Sequence, residues 1–171
     1  MRRTREIVCV VALGSLIGCD RGVVSGPPEV RMGRDECVEC GMMINEDRCC
    51  SALVIEFEGE RRHALFDDIG CMLDYEQEKG HQVTVFDRFV RDYGKRAWVK
   101  AESAVIVFSP ETISTPMATG IVAFGEAGDA EGLRRTAGGR LMTYVEVASA
   151  RREWKAARFG GRDGAGSEPP K

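Results

Sequence analysis

Two stretches of the chain carry the same landmarks at the same intervals. Phe66 is followed by Gly80 after 14 residues and by Phe86 after 20, and Phe124 is followed by Gly138 after 14 and by Tyr144 after 20. Val105-Ile106-Val107-Phe108 also echoes Val54-Ile55-Glu56-Phe57. Repetition at a fixed interval means that one supersecondary unit occurs twice, which constrains the fold more than any single motif.

The unit can be read from its first copy. Residues 50–57 are apolar and β-branched, residues 58–60 (EGE) form a turn, and residues 61–66 return as the second strand of a hairpin. Asp67 or Asp68 is placed to N-cap a helix running to Lys79, with Ile69, Met72 and Leu73 as its apolar face and Gly80 as the left-handed residue that ends it. A strand over 83–89 completes a ββαβ order. In the second copy, strands over 105–108 and 121–124 lead to a helix over about 129–135, Gly138-Gly139 and a strand over 141–147. The fold expected is therefore α+β, with two homologous ββαβ units in tandem over 35–90 and 98–148. The second hairpin holds a long loop over 109–119 (SPETISTPMAT), and long loops in compact domains are often functional. A short helix with Trp154 as its docking residue and a disordered Gly/Pro-rich tail are expected within 149–171.

The N-terminus specifies a compartment. Arg2, Arg3 and Arg5 precede an apolar run over 7–17, too short to span a bilayer and shaped like the core of a secretory signal. The run ends Leu16-Ile17-Gly18-Cys19, which resembles a bacterial lipobox; cleavage before Cys19 and acylation of its sulfur would anchor the chain to a membrane surface. Residues 1–18 then form a signal peptide and 19–34 a flexible lipidated tether, with Asp20 hinting at the inner membrane. Losing Arg2, Arg3, Arg5 and Glu6 takes the net charge from −3 to −5. An acidic chain without a basic run argues against a nucleic-acid partner. Five cysteines remain (Cys37, Cys40, Cys49, Cys50 and Cys71), so in an oxidising compartment at least one is free, ligated or paired with another chain.

The stretch CVECGMMI over 37–44 admits four chemistries. A zinc ribbon needs a second knuckle or paired His, whereas here a lone CxxC is followed by the adjacent Cys49-Cys50, and His63 and His81 read as surface residues. A c-type haem needs His where Gly41 stands. A thiol–disulfide pair and a plain disulfide both remain open. The fourth chemistry is a soft-metal site. In an extended segment Cys40 and Met42 share a face, and thiolate with thioether selects Cu(I); Met43 and Ile44 are then expected in the core. Cys71, in the first turn of the predicted helix, is either a thiol of lowered pKa or a small buried side chain.

The order CxxCGMxI, hairpin, FDDIGC over 66–71, then Pro116-Met117-Ala118-Thr119-Gly120, Val122-Ala123-Phe124 and Gly138-Gly139 resembles the NosL family of copper-binding lipoproteins that accompany nitrous oxide reductase. The resemblance spans about 35–147. It implies two ββαβ units related to the organomercurial lyase MerB, no enzymatic activity, and one Cu(I) held by protein sulfur. It also implies copper delivery in the periplasm to a maturing reductase, with the membrane assembly machinery as a further partner. The family's Cys-x-Met falls on Cys40 and Met42, and its second-half Met on Met117; Cys37 and Cys71 are possible additional thiols. The chain departs from some members in having Glu46-Asp47-Arg48 where they carry a His. The alternatives are a periplasmic thiol–disulfide protein using Cys37 and Cys40 and a MerB-like lyase, for which the sequence shows no acidic residue placed to protonate a carbon–metal bond.

Overall fold

The computed structural model describes residues 23–159. The expected signal peptide, Cys19, Asp20 and the expected C-terminal tail lie outside the described residues. The architecture is mixed α+β. Strands β1 (Ser51–Phe57) and β2 (Glu60–Phe66) form a tight antiparallel hairpin in which Phe57 faces Glu60. Its two turn residues, Glu58 (φ 52°) and Gly59 (φ 79°), are both left-handed, as a type I′ turn requires. Helix α1 (Ile69–Lys79) follows, then β3 (Thr84–Arg91) and β4 (Trp98–Lys100), giving a sheet of order β2-β1-β3-β4. The second half runs β5 (Val105–Phe108), β6 (Ile121–Phe124), α2 (Ala127–Ala137) and β7 (Arg140–Met142), with sheet order β6-β5-β7. In each half the strand after the helix pairs antiparallel with the first strand, β3 with β1 and β7 with β5. Helix α3 (Tyr144–Phe159) closes the fold.

Three boundaries depart from the sequence expectation. The strand expected over 141–147 ends at Met142, and α3 begins at Tyr144. The cause is a capping box: the Thr143 N–H donates to Glu146 Oε2 at 2.7 Å, and the Glu146 N–H donates back to Thr143 Oγ1 at 3.4 Å. Gly80 ends α1 in a right-handed conformation (φ −58°), because its N–H still donates to the Glu76 carbonyl and the chain turns on through Gln82. The expected tether is also not free along its described part. Pro28 accepts from the Trp98 indole at 3.1 Å, Gly26 bonds His63 Nε2 at 2.9 Å, and Val24 packs on Ala52, Val54 and Phe89. This cover explains why β1 is buried on both faces.

The side-chain alternation of the strands distributes the core. Leu53 and Ile55 of β1 and Ala64 and Phe66 of β2 point towards α1, where they meet Ile106, Phe108, Ile121 and Ala123 of the second sheet. One apolar core thus spans both halves. The opposite face of the second sheet, Val107, Val122 and Phe124, packs on Ala130 and Leu133 of α2. Helix α3 is tied to α1 through the nearly buried pair Arg151–Asp74 at 3.0 Å, joined by Lys155, while Trp154 packs at the edge of the shared core.

One residue joins the halves at the head of α1. Asp68 caps the helix by accepting from the Cys71 N–H at 2.9 Å. Its other oxygen accepts from the hydroxyls of Thr115 (3.0 Å) and Thr119 (2.9 Å) and from the Met117 N–H (3.2 Å), all on the β5–β6 loop. The approach is close enough that a Cβ on Gly70 would lie 2.3 Å from the Thr119 methyl. Asp68→Ala removes a cap and strands several buried donors, so it should lower unfolding free energy by on the order of 3 kcal/mol in denaturant titration of the full chain.

Candidate metal site

The CVECGMMI segment is a turn, not an extended strand. Glu36 pairs with Met43 as an isolated bridge, the Cys37 N–H donates to Met42 O at 2.8 Å, and the Gly41 N–H donates to Cys37 O at 2.8 Å. Gly41 takes φ 73°, which suits a residue without a side chain. The shared-face argument for Cys40 and Met42 therefore does not apply; the turn instead brings Cys37 and Cys40 together. Met42 projects from it, 46% exposed. Met43, expected in the core, is 53% exposed, and Ile44 alone turns inward. The Val38 N–H donates to Leu65 O at 2.9 Å, which docks the turn on the end of β2.

That end of β2 runs into Asp67, Asp68 and the first turn of α1. Because Asp68 takes the capping role, Asp67 is released towards the turn. The ligand atoms of Cys37, Cys40, Asp67 and Cys71 all lie within 4.8 Å of one another. Cys37 and Asp67 are each 1% exposed, Cys71 is buried, and Cys40 is half-buried. The Cys40 thiol donates to Asp67 Oδ1 at 3.9 Å, while Asp67 Oδ2 is buried without a hydrogen-bond partner. All five cysteines among the described residues are free thiols.

The three clustered thiols differ electrostatically. Cys37 is pulled down to about 6, first by the hydrogen bond from the Cys71 thiol and then, against burial, by the backbone N–H groups of Cys40, Asp67 and Glu39. Cys71 is correspondingly pushed up, because it is the donor to Cys37 and because it is buried. The helix N-terminus does not lower it, contrary to one of the two sequence readings; burial and the neighbouring thiol outweigh the terminus. Burial also raises Cys40, opposed by the Met42 N–H. The cluster thus favours ionisation of Cys37 over that of its two neighbours, and thiols give up their protons when they take a cation.

The remaining candidates sort by position. Met117 is 37% exposed on the β5–β6 loop, and its backbone anchors it to Asp68, next to Asp67. Cys49 and Cys50 are buried, with burial raising them to about 12 and about 11, so they are packed, protonated thiols. His63 and His81 bond Gly26 and Gln82 and stand outside the cluster. Sequence reasoning missed Asp67 as a cluster member. The available signal was Asp67 and Cys71 at i, i+4 across a helix start, a second ligand pair in place of a second CxxC. The sequence showed no acidic residue placed to protonate a carbon–metal bond; the structure sets the Asp67 carboxylate within 4.8 Å of three thiols.

Cys37 should titrate as the first thiol of the metal-free chain. Thiolate absorbance near 240 nm should show a one-thiol step near pH 6. Cys37→Ser abolishes that step, and Cys71→Ala, which removes the donor, moves it upward. The sign for folding follows: a lowered thiol pKa contributes stability that is present above the ordinary thiol value and is lost as pH falls through about 6.

No curated protein matches the sequence. The fold is similar to the crystal structure of the copper chaperone NosL from Shewanella denitrificans, with a TM-score of 0.53 and 20% identity, covering 70% of this chain and 96% of that one. At that identity the likeness establishes a common fold. A sequence model of the NosL family matches residues 30–151, from the segment laid on the first sheet through the CxxC turn and both sheets into α3. A match over that share of the chain, around the thiol cluster and both sheets, makes this protein a member of the NosL family.

Proposed function

We propose that this chain is a Cu(I) carrier, lipid-anchored through Cys19 on the periplasmic face of a bacterial membrane, which hands copper to a maturing reductase, with nitrous oxide reductase as the recipient. The observation that carries this reading is the convergence of three thiols at the family's CxxCGM turn. Cu(I) is soft and accepts low coordination numbers, so thiolates hold it while leaving room for an incoming ligand. Cys40, the half-buried member, is the exchange point. Met42 and Met117, both exposed, supply thioethers for capture and release, and Cys37 and Cys71 deepen the sulfur set. The recipient's own ligands would compete for copper at Cys40, so the protein catalyses no bond chemistry. The equal landmark spacings and the matching strand orders of the two sheets support descent of both halves from one duplicated unit.

The second reading, a thiol–disulfide protein, is favoured by the lowered Cys37 beside two thiols. Anaerobic Cu(I) competition against a chromophoric chelator separates the two. Loss of groups that merely support metal ligands costs about 10–100-fold in affinity, so Cys40→Ser should cost more than roughly 100-fold, and Met42→Leu and Met117→Leu about tenfold each. Unchanged affinity in both Cys40→Ser and Met42→Leu overturns the assignment. Turnover with a dithiol reductant through a Cys37–Cys40 disulfide would favour the redox reading instead.

A further inference from the structure

A cavity between β2 and the end of α1 has no part in copper carriage. It encloses about 310 Å³, at the small end of the range for ligand sites, and its floor is apolar, built from Ile55, Ala64 and Val83. Two cations stand in its wall, Arg62 of β2 and Lys79 at the end of α1, and no carboxylate lines it. Neither makes an ion pair or a hydrogen bond among the described residues. Each lies over an aromatic ring, Arg62 at 5.5 Å from the centre of Phe57 and Lys79 at 5.5 Å from that of Tyr75. The Tyr75 hydroxyl, in the same wall, also has no hydrogen-bond partner among the described residues. Unpaired donors above an apolar floor suit an anion that carries an apolar body.

Position and charge name the occupant. Val23 lies against the β1–β2 turn, beside Glu58, Gly59 and Glu60, and Phe57 and Arg62 next to that turn line the cavity. Cys19 is four residues before Val23, and four residues reach no further than about 14 Å. An acyl group on Cys19 therefore brings this turn to the lipid surface. Val23 and Phe86 are both exposed at this end, and the Arg61 guanidinium lies 3.5 Å from the centre of the Phe86 ring; aromatic and apolar side chains beside arginine suit the headgroup boundary. Arg61 pairs with Glu56 at 4.0 Å, whereas Glu58 and Glu60 make no ion pair among the described residues. A purely anionic surface gains little from this mixture, but a zwitterionic headgroup complements it.

We propose that the cavity between β2 and α1 receives the phosphodiester of a phosphoethanolamine lipid headgroup, held by Arg62 and Lys79, with its ammonium towards Glu58 and Glu60; this rests on the acylation of Cys19 proposed above. Arg62 offers paired N–H donors to two phosphate oxygens, and Lys79 adds a point charge. A weak site suffices, because headgroups within reach of a short tether have an effective concentration on the order of millimolar. The second contact stops the chain from swivelling on its anchor. A seven-residue strand is about 20 Å long, so β2 then holds the thiol cluster that follows Phe66 well out from the bilayer, where a recipient can reach it.

The test uses the full chain isolated from bacterial membranes and placed in vesicles of phosphatidylethanolamine and phosphatidylcholine, with intact mass reporting the acyl group on Cys19. Hydrogen–deuterium exchange is followed for the wild type and for Arg62→Glu/Lys79→Glu in the same vesicles. Amides over 57–62 and 79–83 should exchange at least about fivefold faster in the double variant, the factor that one cation at a lipid surface supplies. Arg135→Glu, on α2, should exchange as the wild type does. Thermal unfolding and Cu(I) affinity of the double variant should match the wild type, since neither residue belongs to the thiol cluster; Arg62→Gln/Lys79→Gln stands in if the charge reversal lowers the melting temperature. Equal exchange in wild type and double variant on an acylated chain overturns this inference and leaves the anchor standing. Protection that appears in detergent with soluble phosphoethanolamine, but not in vesicles, overturns the lipid as occupant. A chain without acyl mass on Cys19 defeats the anchor reading first, and this inference with it.

Discussion

The Asp68 carboxylate is the interaction on which the rest of the molecule depends. It is a helix cap, but three of its partners sit nearly fifty residues away on the β5–β6 loop, and its carbonyl also accepts from the Ser51 hydroxyl at 3.1 Å. One buried residue therefore ties together the start of α1, the start of β1 and the path of the second-half loop. Burial raises its pKa, opposed by the donors on the Cys71 backbone and on Thr119 and Thr115. A buried carboxylate is tolerable here because its acceptor capacity is nearly filled.

The cap also makes the site. With Asp68 committed to the helix, Asp67 is left at the corner where β2 meets α1, and the register of the first turn carries Cys71 to the same place. The CxxC turn approaches from the other side, held by the Val38–Leu65 bond and by Ile44 in the core. Each component is ordinary local structure: a cap, a hairpin end and a glycine-bearing turn. Their coincidence is what brings three sulfurs and an oxygen together. The proton distribution follows, since thiols this close do not all ionise: the cluster lowers Cys37 and raises Cys71.

The elements that sequence reading located well are those whose signals are local. The β1–β2 hairpin, α1 with its acidic cap and α2 ending at a left-handed Gly138 all follow from turn chemistry and periodicity within a few residues. The error at α3 is of the same kind: Thr143 to Glu146 is a local capping signal, and the apolar spacing of Leu141 to Val147 was read as a strand over it. Met43 failed for a different reason. Its expected burial assumed a chain continuing straight into the sheet, whereas the left-handed Gly41 closes a turn that leaves Met42 and Met43 exposed and turns only Ile44 inward.

By itself the sequence determined the α+β element order, the cysteines available for soft-metal chemistry and the family resemblance, because these rest on residue identity and short-range spacing. Only the tertiary structure decided that Cys37, Cys40 and Cys71 meet, that Asp67 joins them, and that Cys49 and Cys50 do not. Asp67 and Asp68 are adjacent and chemically identical, so no local rule assigns one to the cap and the other to the site. The choice is made by Thr115, Thr119 and Met117, which reach Asp68 from the other half of the chain.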